Sequence, residues 1–156
     1  MATKTTLRAE IRTRRRGRRA FPDTSIGTRS SDTDQAPLPV RHPAEAEGIA
    51  FQVRALASSM GSVALPALFV PTPLEPDLSL TLGLFPRALL PVLVDEAGVA
   101  LSGPRWGVWE AGQALVMPGR PPAQPSGEAL ASEALARADL ILVPALAGGL
   151  DGTRLG

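Results

Sequence analysis

Residues 139–156 read DLILVPALAGGLDGTRLG. The first half, 139–146, is a short apolar run of strand type, rich in Leu, Ile and Val. The second half spaces Gly148, Gly149, Gly152 and Gly156 around Asp151 and Arg154. In open α/β sheets ligands lie outside the carboxyl ends of strands, and phosphate loops are often built where a strand ends in glycines. A strand followed by glycines is also how an ordinary turn looks, so this stretch alone defines no site.

Two more runs of the same kind lie upstream, VALPALFV at 63–70 and RALLPVLV at 87–94. Pro66 lacks an N–H, which places the start of strand pairing after it. Segments of helical period separate the runs. In 44–60, AEAEGIAFQVRALASSM, the residues Ile49, Val53 and Leu56 recur on one face, Glu45 and Glu47 occupy the first turn, and Gly61 stands past the end. LEPDLSLTLGLF at 74–85 reads as a loop entering a short helix. VAL at 99–101 with RWGVWE at 105–110 reads as a hairpin or edge strand, and MPGRPPAQPSG at 117–127 as a rigid connecting loop. GEALASEALARAD at 127–139 reads as a helix with Ser126 as its N-cap. Near-continuous apolar strands separated by helices predict an α/β domain with a mostly parallel sheet covered on both faces.

The N-terminal stretch TKTTLRAEIRTRRRGRR at 3–19 also has helical period, with Leu7 and Ile11 on one side and Gly17 as a stop. It concentrates charge. Residues 1–19 hold eight of the chain's sixteen basic residues and one of its fifteen acids, a local balance of +7, while the remainder stands at −6. Residues 20–43 show neither period and are rich in Ser, Thr, Asp and Pro, the composition of an irregular or disordered linker. The expected organisation is therefore a basic helix over 1–19, a linker over 20–43 and an α/β domain over 44–156.

The chain has 156 residues, enough for one domain with a core. It has no cysteine, which excludes disulfides and thiolate metal sites. His42 is the single histidine, so His-paired metal sites are excluded too, and its place between Arg41 and Pro43 is that of a solvated loop residue. The most apolar stretch, at 82–94, is broken by Pro86, Arg87 and Pro91 and is too short to span a bilayer. The arginines at the start precede no apolar core of a secretion signal, although an Arg-rich, acid-poor start shares its composition with organellar transit peptides. These features point to a cytoplasmic protein with no membrane partner.

Three groups could carry chemistry. Glu75 follows the 63–70 strand, where a carboxylate can accept hydrogen bonds from an amine or amide of a ligand. Lys4 and Arg8 stand one helical turn apart and could grip a polyphosphate. Arg154 lies in the glycine-rich ending. Taken singly, each reads as well as a solvated loop acid, a solvated basic face and a turn. Their order is more specific: Lys-x-x-x-Arg in a basic helix, a strand ending at E-P-D, the LLPV strand, W-x-x-W-E, the P-G-R-to-Q-P loop, and ADLILVPALA running into DGTRLG.

This series resembles the 5-formyltetrahydrofolate cyclo-ligase family, also called methenyltetrahydrofolate synthetase, over 62–156 and more modestly over 3–16. The resemblance implies a three-layer α/β/α fold and use of ATP and Mg²⁺ to convert the folate substrate 5-formyltetrahydrofolate to 5,10-methenyltetrahydrofolate, ADP and phosphate. It assigns ATP contacts to Lys4, Arg8, Arg154, Leu155 and Gly156, and folate-pocket positions to Val70 and Glu75. It assigns no catalytic residue and no metal ligand.

The chain departs from the family in places. Gln124-Pro125 stands where the family has Glu-Pro, the helix after Glu75 is about one turn short, and Gly148 and Gly149 replace a bulkier residue and an acid. In the family the RLG continues into a glycine-rich stretch with tyrosines and an acid, and here Gly156 is the last residue. The expectation is a chain lacking the family's C-terminal elements, impaired in activity and prone to self-association through an uncovered sheet edge. Two readings compete with it. One is non-specific nucleic-acid binding through the Arg-rich arm, against which the absence of interleaved aromatics argues; the other is a non-catalytic remnant.

Overall fold

The computed structural model describes residues 3–17, 42–72, 75–118 and 122–155. The linker read over 20–43 therefore falls outside the described residues except for His42 and Pro43, and Gly156 falls outside them as well. The chain forms two compact units, one of Met1–Asp32 and Pro144–Gly156, the other of Thr33–Val143.

In the first unit, helix α1 (Lys4–Gly17) forms as the sequence predicts. Thr3 caps it: its Oγ1 accepts the Thr6 N–H at 3.2 Å, and its carbonyl accepts the Leu7 N–H at 3.0 Å.

The second unit begins with helix α2 (Pro43–Ser59), which has Pro43 at its first position, where a missing N–H costs nothing. After β1 (Pro66–Ala67) come the short helix α3 (Ser79–Leu82), then β2 (Arg87–Val94) and β3 (Ala100–Glu110). Two short strands follow, β4 (Leu115–Val116) and β5 (Gln124–Pro125), then a 3₁₀ helix (Ser132–Arg137) and β6 (Leu140–Ile141). The main sheet has the order β3-β2-β1-β6. β1 is parallel to both β2 and β6, and β3 runs antiparallel to β2. Helices combined with a mixed sheet make this an α/β protein.

β2 shows why the apolar runs are continuous. Ala88 and Leu90 face a cluster with Val53 of α2, Leu68, Val70, Leu82, Phe85, Trp109 and Leu140. Leu89 joins Leu65 and Ala67, against which Trp106, Val108, Leu130, Leu135 and Ala138 pack. Both faces of the strand are buried, so neither set of alternate positions is polar. Asp139 locks the start of β6 to the start of β1. Its carboxylate accepts the Ala64 N–H at 2.6 Å and the Leu65 N–H at 3.1 Å, and its own N–H donates to the Leu65 carbonyl.

The structure corrects six local readings. Pro66 is inside β1, paired with Leu140, because the inter-strand bonds there use the carbonyls of Leu65 and Ala67 and the N–H of Leu68. The buried stripe of α2 is Ala46, Ala50 and Val53, with Ile49 half-buried; Leu56 lies on the flank and is 46% exposed. The loop read over 117–127 contains β5, which pairs with β4. The helix read over 127–139 shrinks to the 3₁₀ helix, because Leu130 exchanges backbone bonds with Trp106 and draws the preceding residues into an extended form. Ser126 caps nothing and instead bonds the Gln113 amide. Finally, the apolar run at 139–146 yields only a two-residue strand at the end of the sheet order, with Leu140 buried and Ile141 and Val143 exposed. No helix among the described residues is long and apolar enough to cross a membrane.

Candidate functional site

Beyond Val143 the chain enters the first unit, where the glycine-rich ending folds as a hairpin of β7 (Ala147–Gly148) and β8 (Arg154–Leu155). The Leu146 N–H donates to the Leu155 carbonyl at 2.8 Å, and the Gly149 N–H to the Thr153 carbonyl at 2.8 Å. Within the loop, Asp151 Oδ1 accepts the Thr153 N–H at 3.1 Å and the Thr153 hydroxyl at 2.8 Å. Hydrogen bonds from the Thr153 backbone, then from its hydroxyl, hold the Asp151 carboxyl below the usual aspartate range.

Two glycines are demanded by this turn. Gly152 has φ +81°, and a Cβ on Gly149 would stand 2.6 Å from the Thr153 hydroxyl oxygen. Gly148 is under no such demand, since its nearest neighbour would be 4.0 Å away. The glycines that read as a phosphate approach thus serve first to close the hairpin. Beside them, Arg154 is exposed and Leu155 half-buried, while Gly156 lies outside the described residues.

Lys4 and Arg8 sit one turn apart on α1, Lys4 exposed and Arg8 half-buried. They share the compact unit of Arg154 and Leu155. The described residues assigned to ATP therefore fall in one unit, and the two assigned to folate fall in the other.

In the second unit Val70 is a core residue, 4% exposed, in the cluster with Val53, Leu82 and Phe85. Glu75 is half-buried and folds back on the end of the β1 segment. Its Oε2 accepts both the Thr72 N–H at 2.7 Å and the Thr72 hydroxyl at 2.8 Å, and its N–H donates to the Thr72 carbonyl. Oε2 thus shapes the turn, and Oε1 is the oxygen through which Glu75 would meet a ligand.

Two polar side chains matter more here than the sequence suggests. Asp77 is 1% exposed; its Oδ2 accepts the His42 N–H at the start of α2, and its Oδ1 accepts the Ser79 N–H at the start of α3, each at 3.0 Å. The Asp77 N–H donates in turn to Glu45 Oε2. The spacing Asp-x-Ser is the local sign of such a turn, although nothing near it in sequence announces the link to α2. Gln124, 5% exposed, binds β2 where its ladder with β3 shifts register between Val92 and Val94. Its Oε1 accepts the N–H groups of Leu93 (3.0 Å) and Val94 (3.3 Å), and its Nε2 donates to the Val94 carbonyl at 2.9 Å. A carboxylate could not make the last bond, so this position calls for an amide.

A cleft of about 250 Å³ opens elsewhere in this unit, lined by Arg54, Ala57, Ser58, Gly61, Val63, Leu84, Phe85 and Pro86. Val63 and Pro86 precede β1 and β2, so the cleft lies by the amino ends of these strands. Among the described residues no three acids or histidines gather into a metal-binding group. No protein-family model matches the chain, and neither a curated protein nor a solved structure matches it.

Proposed function

We propose that the chain belongs to the 5-formyltetrahydrofolate cyclo-ligase family and binds ATP through Lys4, Arg8, Arg154, Leu155 and Gly156, and 5-formyltetrahydrofolate at Val70 and Glu75. The observation that carries this reading is the sharing of one compact unit by Lys4, Arg8 and the Arg154–Leu155 strand, although some 140 residues separate the two ends in sequence. The reading includes a three-layer fold, supported by apolar clusters on both faces of the sheet.

The chemistry suits such a residue set. The formyl oxygen forms a bond to the γ-phosphorus of ATP as the bond to the ADP oxygen breaks. N10 of the folate then bonds to the formyl carbon and gives up its proton, and the carbon–oxygen bond breaks to release phosphate. A formamide oxygen leaves poorly and a phosphate leaves well, so the protein's task is to hold phosphates and to fix two nitrogens in place. Three cations serve the first task, and the Glu75 carboxylate serves the second by accepting a hydrogen bond from the folate. Mg²⁺ typically binds through phosphate oxygens and one or two carboxylates. Asp151 is the acid of the hairpin, with Oδ1 taken by Thr153, so Mg²⁺ would be held chiefly by the nucleotide, whose charge it offsets.

Titration of the full chain with MgATP, and separately with 5-formyltetrahydrofolate, is expected to give saturable binding. Lys4→Ala and Arg154→Ala should each weaken ATP binding about 10- to 100-fold, the loss of one charged hydrogen bond, and leave folate binding intact. Glu75→Gln should do the reverse. Absence of saturable binding of either compound would sink the proposal.

A further inference from the structure

The cleft beside the last turn of α2 is lined by Arg54, Ala57 and Ser58 from the helix and by Val63, Leu84 and Phe85 from the segments that lead into β1 and β2. Arg54 and Ser58 stand four residues apart, so they share one face of the helix. Neither is needed to finish it. The last carbonyls of α2 are met from within: the Met60 N–H donates to those of Leu56 and Ala57, the Gly61 N–H to that of Ser58, and the Ser59 hydroxyl to that of Leu56. Among the described residues no hydrogen bond or ion pair engages the Arg54 guanidinium or the Ser58 hydroxyl. The cleft therefore pairs an uncommitted cation and hydroxyl with an apolar wall.

We propose that this cleft binds a small apolar monocarboxylate, with the acid group on Arg54 and Ser58 and the body against Ala57, Val63, Leu84 and Phe85. A guanidinium takes a carboxylate through two parallel N–H bonds, and a hydroxyl can donate a third. One arginine balances one negative charge. The carboxyl end of a helix carries a partial negative charge of its own, which disfavours the second charge of a phosphate ester. Size narrows the choice further. At about 250 Å³ the cleft exceeds the roughly 150 Å³ that holds a benzene ring and falls short of the roughly 300–1,000 Å³ of sites for larger ligands. One ring or one branched chain bearing an acid fills it, and a nucleotide or a folate is too large. The apolar wall is held in place, because Phe85 is buried in the core cluster against which Ala57, Val63 and Leu84 pack.

The test is an NMR titration of the full chain, labelled at its backbone amides, with phenylpropionate at constant pH. The shifts should saturate and should centre on the amides of Ser58, Gly61, Val63 and Leu84. Phenylpropionamide, which keeps the ring and lacks the charge, should bind about 10- to 100-fold more weakly, the loss of one charged hydrogen-bonded contact. Arg54→Gln should weaken phenylpropionate by the same factor, whereas Arg54→Lys, which keeps the charge and loses the two-pronged geometry, should fall between. Arg54 is exposed, so these variants are expected to fold as the native chain does, and their unperturbed amide spectra would show it. Shifts that never saturate or scatter over the surface, equal affinity for the amide, equal affinity for inorganic phosphate, or unchanged affinity in Arg54→Gln would each overturn the proposal. None of the residues proposed to hold ATP or folate is altered, so the two readings stand or fall separately.

Discussion

Gln124 shows how one side chain settles what the backbone around it leaves open. Where the β2–β3 ladder slips, its amide supplies one donor and one acceptor group to Leu93 and Val94. Gln124→Glu removes the donor and sets a carboxylate against the Val94 carbonyl, at an expected cost of about 1–3 kcal/mol at neutral pH. Urea denaturation of the variant and the native chain at neutral pH measures it, and an unchanged midpoint would refute the assigned geometry. Asp151 ties the hairpin to pH. Its folded pKa lies below the usual value because Thr153 donates to the carboxylate, so its support of the hairpin is complete above the unfolded pKa and disappears as pH falls through the depressed folded value. The NMR shift of the Thr153 amide should follow that titration, and should not move over the same range in Asp151→Asn.

Among the elements, the contact of β3 with β5 is the tightest test of packing. Gly107 faces Pro125 so closely that a Cβ would stand 2.5 Å from the proline Cγ and 3.3 Å from Val92 Cγ2. Neither neighbour is free to yield, since a proline ring and a buried β-branched side chain have few alternatives. Gly107→Ala is expected to destabilise by about 1–3 kcal/mol through overpacking, read as a lower denaturation midpoint with unchanged slope. An unaltered midpoint would mean that β5 does not lie against β3. α2 makes the complementary point: it packs against α3, its residues buried at 46 and 50 are alanines, and larger side chains such as Phe51 are left in solvent at 66% exposure.

For the whole molecule, burial is concentrated in the second unit, around β1 and β2. Leu90 is fully buried there, and Leu90→Ala should cost about 2–5 kcal/mol, a large part of the roughly 5–15 kcal/mol that holds a typical domain folded. Leu150, at the hairpin tip, is fully exposed, and Leu150→Ala should change stability by no more than about 0.5 kcal/mol. Equal losses in the two variants, measured by urea denaturation, would contradict this distribution of the core. Charge is divided as unevenly as burial, with the basic excess in α1 and its flank and the acidic excess in the remainder.

Much of this is legible in the chain before any coordinates. α1, α2 and the strands at 66–67 and 87–94 follow from apolar spacing, and Gly61, at φ +86°, ends α2 where a glycine is expected. These features depend on residues a few positions apart, within reach of helical period and turn chemistry. Lys4, Arg8, Glu75 and Arg154 can be singled out by type and order, whereas the company each keeps cannot. Val70 is spent on the core and Oε2 of Glu75 on Thr72. Gly149 and Gly152 close a hairpin, because the hydrogen bonds of that turn depend on how the chain meets itself. The reduced helix at 132–137, the outer position of β6 and the role of Gln124 come from partners 24, 74 and 30 residues away: Leu130 with Trp106, Asp139 with Leu65, and Gln124 with Val94. Such pairings compete with local propensity and prevail because buried backbone groups must find partners wherever the chain can provide them, which no local pattern encodes.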